Sequence, residues 1–128
     1  MKIIENEDVE IVMGSPPCTM YSQVQKLSEK VRTPGHPGRE AARARYAKKF
    51  SEAEAHLKFC AFIYWMQDKR GKYYLHEHPR RASSWDTACM KKIEALTNNV
   101  KVRSDMCAFG MRGKNDFFVK KPTTFYTN

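Results

Sequence analysis

VEIVMGSPPCTMYS, residues 9–22, is the stretch that decides the fold. Residues 9–13 are a short apolar run that GSPP ends, a pattern typical of a buried strand followed by a loop. The two prolines stiffen that loop and hold Cys18 at a fixed place just past the strand, as a nucleophilic thiol requires. A loop cysteine without a chemical role fits the same spacing, so both interpretations stay open.

Helical patterns follow this loop. Residues 19–30 are expected to form a short helix, and residues 39–68 have a helical pattern throughout. Ser51 and Glu54 form an S-x-x-E capping box, which predicts that a helix begins there. Gly71 is expected to end that helix as a C-cap.

The rest of the chain predicts strands around one more helix. Residues 72–76 (KYYLH) are expected to form a strand that Pro79 stops. Ser83 or Ser84 is expected to cap a helix over residues 85–96. The remaining segments are a strand at 100–103, a polar turn at 112–116, and two last strands at 117–119 and 124–127.

The order of these elements predicts the fold class. Alternating strands and helices imply an α/β fold with a mainly parallel sheet flanked by helices, here as a single domain over residues 1–128. Ligands of such sheets lie beyond the carboxyl ends of the strands. The loops at 14–18 and 77–79 both leave strands at that end, so we expect them to be neighbours.

The charge of the chain favours a polyanionic partner. Lys and Arg number 23 against 14 Asp and Glu, giving a net charge of +9, and phosphate contacts by such residues release counterions. Basic residues cluster at 39–49, 69–72, 80–81 and 120–121. A basic protein with no nucleic-acid role remains the alternative. The candidates for contacts to a nucleic-acid backbone are Arg43, Arg45, Lys48 and Lys49.

The cysteine pattern and the apolar runs bear on compartment. The four cysteines form no CxxC pair, the N-terminus does not resemble a signal peptide, and no apolar run approaches transmembrane length. We therefore expect reduced thiols, a cytoplasmic protein (in the host cell if it is viral), and no membrane partner.

A second candidate for chemistry is LHEHP, residues 75–79. Glu77 between two histidines at a strand end can be a general acid, a hydrogen-bond donor or part of a metal site. His76 and His78 alternate onto one face, so an H-x-H metal pair is possible. A deaminase zinc site would also need P-C-x-x-C, which the sequence lacks. Solvated histidines beside a strand end are the commoner case.

Three motifs together resemble the cytosine-C5 DNA methyltransferases. GSPPCTMYS (14–22) resembles the family's Pro-Cys motif, and EHP (77–79) resembles its Glu-Asn-Val motif. AFGM (108–111) followed by KKPTTFYT (120–127) is similar to its Tyr-Gly-x-Pro and Arg-x-Arg segment. The motifs occur in the family's order over residues 9–128, most like the shortened versions found in phages and mobile elements.

The resemblance implies a partial Rossmann-like methyltransferase sheet and roles for its residues. Cys18 would be the nucleophile that adds to C6 of a flipped cytosine, and Glu77 would bind N3. Further substrate-site residues would be the following: Pro16 and Pro17, which stiffen the loop, Ser22, which supports it, and Lys121 and Thr123, which fall where the family has paired arginines.

The family's cofactor loop, an aromatic-Gly-x-Gly after a strand, has no counterpart before Val9. S-adenosylmethionine is therefore expected only if a second protein chain or a second copy completes the sheet, and this chain alone would bind none. Three hypotheses remain open: a subunit of a split DNA methyltransferase, an inactive remnant that binds nucleic acid or protein, and a metal-dependent activity at His76 and His78.

Overall fold

The computed structural model describes residues 8–27, 34–96 and 98–128. Its strands are β1 (Ile11–Gly14), β2 (Tyr73–Pro79), β3 (Val100–Asp105) and β4 (Pro122–Thr127). Its α-helices are α1 (Val24–Leu27), α2 (Arg39–Lys69) and α3 (Ala88–Glu94), and it has 3-10 turns at Thr19–Tyr21, Ser83–Asp86 and Met106–Phe109.

The four strands form one mixed α/β sheet in the order β1-β2-β4-β3. β1 pairs with β2 in parallel, whereas β4 is antiparallel to both β2 and β3. The prediction of a mainly parallel sheet is therefore wrong. Parallel neighbours need a long crossover, usually a helix, and the segment between β3 and β4 has only one short 3-10 turn. β4 consequently returns antiparallel and lies between β2 and β3.

The core lies on one face of this sheet, against α2 and α3. Tyr74, His76 and His78 alternate along β2 toward that face and are all fully buried. Leu57 and Tyr64 of α2 meet them and are also fully buried. The two histidines are thus part of the core, which contradicts the expectation of solvated side chains.

Helix α2 is longer than the capping box predicted. It begins at Arg39 and passes through Ser51 without a break, so the prediction of a helix start at Ser51 is wrong. Residues 39–50 are rich in Ala, Arg and Lys, which favour helix, and this propensity outweighs the local capping signal. Gly71, with φ of 66°, follows the helix as predicted.

The direction of α2 determines what lies at each edge of the sheet. Gln67, near its C-terminus, donates hydrogen bonds to the carbonyls of Val9 and Tyr73, where β1 and β2 begin. The C-terminus of α2 therefore lies where β1 and β2 begin, and its N-terminus lies toward the carboxyl ends of these strands. The helix spans about 46 Å, roughly twice the length of a seven-residue strand, so its N-terminal part extends past that edge.

Three local predictions differ in part from the structure. The segment expected to be a helix over 85–96 is instead a 3-10 turn followed by α3. Neither predicted cap serves α3, because Ser84 hydrogen-bonds to His78 and Ser83 hydrogen-bonds to the carbonyl of Tyr21. The segment 117–119 makes one bridge, Arg112 to Phe118, and no strand. Residues 19–27 form a 3-10 turn and α1, while residues 28–33 lie outside the described part.

The opposite face of the sheet and the β1 edge are open in the described ranges. Ile11 and Met13 on β1 are 51% and 71% exposed, and Tyr73, Val100 and Val102 on the other strands are exposed too. No described strand pairs with the outer side of β1. Among the described residues, no helix combines the length and apolar character needed to cross a bilayer.

Candidate active site at the carboxyl edge of the sheet

The loop that carries Cys18 leaves β1 at a close contact with α2. A Cβ atom on Gly14 would lie 1.8 Å from the hydroxyl oxygen of Tyr64, so only glycine fits there. The Tyr64 hydroxyl is itself held 3.0 Å from Nδ1 of the buried His76. The start of the loop is therefore fixed by packing against the core.

His78 fixes the next part of the loop. Its Nε2 lies 3.2 Å from the carbonyl oxygen of Pro16, and its Nδ1 lies 2.6 Å from the hydroxyl oxygen of Ser84. Burial lowers the pKa of His78, so the ring is neutral at pH 7. Because a carbonyl can only accept, Nε2 carries the proton, and Nδ1 accepts from Ser84. The ring thus holds the backbone two residues before Cys18.

His76 lies beside His78 on the same buried face. Their rings stack with centroids 5.4 Å apart, and burial, followed by the neighbouring His78, lowers the pKa of His76 to about 3. Both ring nitrogens of His78 already have partners within the protein. No group of three or more His, Cys, Asp or Glu side chains in the described ranges could hold a metal ion. The described residues therefore supply no set of ligands that would complete a metal site with His76 and His78.

Glu77 projects from β2 toward the opposite face and meets the Cys18 loop directly. The hydroxyl of Ser15 donates a hydrogen bond to Oε2 of Glu77 at 2.6 Å. Nζ of Lys121, just before β4, lies 3.6 Å from Oε1. Three segments that are far apart in sequence therefore converge at the carboxyl end of β1 and β2, as the two loops at 14–18 and 77–79 were expected to do.

Cys18 is partly exposed and begins the 3-10 turn Thr19–Tyr21, with its carbonyl accepting the N–H of Tyr21 at 3.0 Å. Pro16 is buried beneath the loop, whereas Pro17 is exposed. Ser22 ends the turn, and its hydroxyl accepts the N–H of Val24 at 3.2 Å. Hydrogen bonds at both ends of the turn therefore fix its conformation, and the partly exposed Cys18 lies at its start.

The other cysteines do not share this setting. Cys60 and Cys89 were expected to be buried on helix faces, but both are only partly buried. Burial nevertheless raises the pKa of the Cys60 thiol, which disfavours its thiolate. Cys60 therefore serves as an internal comparison for the reactivity of Cys18.

The two positions that match the family's paired arginines differ in placement. Lys121 reaches Glu77, as described above. Thr123 is fully buried opposite Pro79, and its hydroxyl donates to the carbonyl of Lys121 at 3.2 Å. The structure thus brings Lys121 to the carboxyl group, whereas Thr123 is buried and its hydroxyl is used by the backbone.

The four basic candidates lie on the part of α2 that extends past the carboxyl edge. Arg43, Arg45, Lys48 and Lys49 are all exposed. Phe50, next to them, packs on Tyr21 with ring centroids 5.8 Å apart, and Tyr21 follows Cys18 by three residues. The basic segment and the Cys18 loop are therefore on the same side of the molecule.

No family model, curated protein or solved structure matches the chain. The resemblance to methyltransferases therefore rests on the three sequence motifs alone.

The sequence predicted that His78 shares a strand face with His76, and it offered Ser84 as a helix cap, but it did not predict that these side chains and Tyr64 position the loop. Tyr64 lies within the predicted helix, and a tyrosine there does not indicate a contact with a loop glycine. Nothing in the sequence pairs Ser84 with a histidine six residues earlier.

Proposed function

We propose that this chain supplies the catalytic loop of a cytosine-C5 DNA methyltransferase, and that a second chain completes the enzyme. The observation that carries the proposal is the 2.6 Å hydrogen bond between Ser15 and Glu77. It joins the loop of Cys18 to the one carboxylate that the resemblance implies as its catalytic partner. Ser15 lies in the segment that resembles the Pro-Cys motif, and Glu77 lies in the segment that resembles the Glu-Asn-Val motif.

This pairing suits a nucleophile that must activate an aromatic ring. The Cys18 thiolate would form a bond to C6 of cytosine, while the electron pair of the C5–C6 double bond moves into the ring toward N3. Glu77 would hydrogen-bond N3, and a proton shared between its carboxyl group and N3 would disperse that charge. The product of this step is an enamine whose C5 is nucleophilic. Loss of the C5 proton and expulsion of the thiolate later restore the aromatic ring.

S-adenosylmethionine would supply the methyl group, and the described residues do not fit it. The glycines of the chain stand at positions 14, 35, 38, 71, 110 and 113, and none forms a Gly-x-Gly loop after a strand. A second copy would have the same glycines, so we assign the cofactor to a completing chain of different sequence and derive only the addition to C6 for this one.

The open edge of the sheet supports a completing chain. An unpaired strand edge with apolar side chains is an aggregation hazard that proteins normally cover. On β1 the hydrogen-bonding edge has no described partner, and Ile11 and Met13 are exposed beside it. A strand added next to β1 would extend the sheet on the side where the resemblance expects the cofactor-binding half.

DNA as the substrate is supported by charge and by access. The target base must leave the duplex to reach a thiol, and the extruded strand needs cationic contacts. The exposed basic residues on the N-terminal part of α2 lie on the same side as Cys18.

A second function, an inactive module that binds nucleic acid or protein, is favoured by one specific observation. Both oxygens of Glu77 face protein groups, with Ser15 at one and Lys121 at the other. A base that approached Oε2 would have to displace Ser15, whereas Oε1 is buried and has no hydrogen-bond partner among the described residues. Thr123 also lacks the charge of an arginine and is fully buried.

Covalent trapping tests the proposal. DNA that carries 5-fluorocytosine should form a denaturation-resistant adduct when the chain, S-adenosylmethionine and a cofactor-binding chain encoded beside it are combined. The adduct persists because the fluorine cannot leave as a proton does. Cys18→Ser should abolish the adduct and keep DNA binding, whereas Cys60→Ser should retain both. An adduct that survives Cys18→Ser would contradict the proposal.

A further inference from the structure

A cationic pocket opens on the helix-bearing face, just past the end of β2. It has a volume of about 230 Å³ and lies between that strand end and the neighbouring strands β3 and β4. Four cationic side chains line it, together with a single acid, Asp86. The four cations are Arg80, Arg81, Lys101 and Arg103.

A second pocket, of about 360 Å³, adjoins the first and shares its residues Arg80, Arg81 and Ala82. It reaches Ser22, at the end of the turn that begins at Cys18, and Lys120, next to the partner of Glu77. The two adjoining pockets are here together named the arginine groove, which is lined by residues from β3 at one end to Ser22 and Lys120 at the other.

Two of the cations are held in place by the protein. Arg80 donates to the carbonyl of Ser104 at 3.0 Å and to Oδ1 of Asp105 at 3.2 Å. Lys101 pairs with Glu94, and its Nζ lies over the ring of Trp85, 5.1 Å from the centroid. These contacts fix the wall and the floor of the groove and neutralise part of their charge.

The other two cations have no acidic partner in the part of the chain that the structure describes. Arg81 and Arg103 are both exposed and both line the first pocket. Guanidinium groups in this state offer planar pairs of N–H donors that match the oxygens of a phosphate. The groove is therefore suited to an anion.

The groove is not suited to a stacked base. Trp85 is the one aromatic ring that lines it, and this ring is buried, with its Nε1 donating to the carbonyl of Pro79 at 2.9 Å. The ammonium of Lys101 already lies over its face. A nucleic acid would thus place its backbone here, and its base elsewhere.

We propose that the arginine groove binds a backbone phosphate of the DNA strand that carries the target base, with Arg81 and Arg103 as the main contacts. The inference rests on the proposed function for the identity of the strand. The phosphate chemistry rests on the groove alone. A phosphate held there would guide the strand past Ser22 toward the Cys18 loop. This site is separate from the basic residues of α2.

Binding of a fluorescent single-stranded oligonucleotide with one cytosine, followed by anisotropy, tests the proposal. Arg81→Ala and Arg103→Ala should each weaken binding about tenfold, the loss expected for one charge-assisted contact. Each should also reduce the slope of log affinity against log salt by about one. Lys69→Ala is the matched control, because it removes one charge at the far end of α2. Losses equal to that control would overturn the proposal.

A chemically modified strand locates the contact. Replacing a single phosphate beside the cytosine with an uncharged methylphosphonate should weaken binding by the wild-type chain. The same replacement should cost Arg103→Ala little, because that contact is already lost. Full sensitivity in Arg103→Ala at every modified position would contradict the assignment. So would binding of inorganic phosphate or a mononucleotide as tightly as the oligonucleotide, since the groove would then serve a free ligand.

These outcomes are independent of the catalytic proposal. If adducts depend on Cys18 but Arg81→Ala and Arg103→Ala bind DNA as the wild-type chain does, only the groove proposal is rejected. Groove-dependent binding without any adduct would retain the groove and favour the inactive binding module.

Discussion

Ser15 and Glu77, 62 positions apart, are joined by a hydrogen bond of 2.6 Å across the carboxyl ends of two parallel neighbouring strands. The bond orients a carboxyl group whose other partner among the described residues is Lys121. It thereby couples the position of the Cys18 loop to that of its proposed catalytic partner.

Ser15→Ala removes this coupling and should impair chemistry more than stability. Unfolding should become easier by about 1 kcal/mol at most, because the bond is exposed. Trapping of 5-fluorocytosine DNA should slow by about tenfold, the effect expected of one lost orienting contact near a reacting group. Ser51→Ala, on the exposed surface of α2, is the control and should change neither. Trapping at the wild-type rate would show that the bond does not orient Glu77.

Gly14→Ala should destabilise the chain, because the added methyl group would overlap the hydroxyl of Tyr64. A cost of about 1 to 3 kcal/mol is typical of such overpacking. Removing that hydroxyl in Gly14→Ala/Tyr64→Phe should recover part of the loss, since the closest contact disappears. Urea unfolding of the two single variants and the double variant gives the coupling. If the free-energy costs of the two single substitutions simply add in the double variant, the added methyl group and the Tyr64 hydroxyl do not contact each other.

His76 and His78 should make the fold weaken as the solution becomes acidic. The pKa of each is lowered in the folded chain, so the unfolded chain binds more protons below its ordinary histidine pKa. The stability that the two neutral histidines contribute is therefore complete above about pH 7 and is lost as pH falls below about 6.5. For His76, whose pKa is about 3 in the folded chain, the loss is roughly 1.4 kcal/mol per pH unit.

Urea unfolding at pH 7.5 and pH 5.5 measures this loss. His78→Gln should reduce the pH dependence, while His56→Gln should leave it unchanged because His56 is exposed on α2. Between these two pH values carboxyl groups contribute little. An identical pH dependence in the wild-type chain and in His78→Gln would show that His78 is not buried and neutral.

The basic segment of α2 should contribute to DNA affinity without regard to sequence. Replacing Arg43, Arg45, Lys48 and Lys49 with Ala should lower the salt slope by about four and weaken all sequences alike, as lost phosphate contacts do. Lys58→Ala/Lys69→Ala, farther along the same helix, should change the slope by less than one. If the dependence of log affinity on log salt is the same in the fourfold variant, these four residues do not contact DNA phosphates.

The features that the sequence predicted well are local ones. The strand before Cys18, the Pro-Pro turn and the glycine after α2 follow from residues that lie next to one another. The helical pattern over residues 39–68 agrees with the long helix, whereas the capping box misplaced a helix start at Ser51. A capping box shows only that a helix could begin at Ser51, and the Ala-rich residues before it decide whether one does.

The direction and neighbours of the strands could not be predicted in the same way. The sheet became mixed because the chain between β3 and β4 returns without a helix, and the sequence of strands alone does not specify that. The arginine groove depends on the same register, since Arg103 lines it from a strand that pairs with β4 at Thr124. Pairings of this kind join residues whose local sequences are unrelated.

Deuterium exchange at C5 of cytosine tests the central claim most directly. Addition of the thiolate to C6 lets C5 take a deuteron from the solvent, and loss of the original proton with expulsion of the thiolate leaves labelled cytosine. The reaction needs Cys18 and Glu77 but no methyl donor, and a single-stranded oligonucleotide removes the need to extrude the base. Mass spectrometry of the recovered nucleosides measures it. The proposal predicts exchange by the wild-type chain and Cys60→Ser, slower exchange by Glu77→Gln, and none by Cys18→Ser. Exchange by the wild-type chain no faster than by Cys18→Ser would contradict the proposal and leave the binding module as the function.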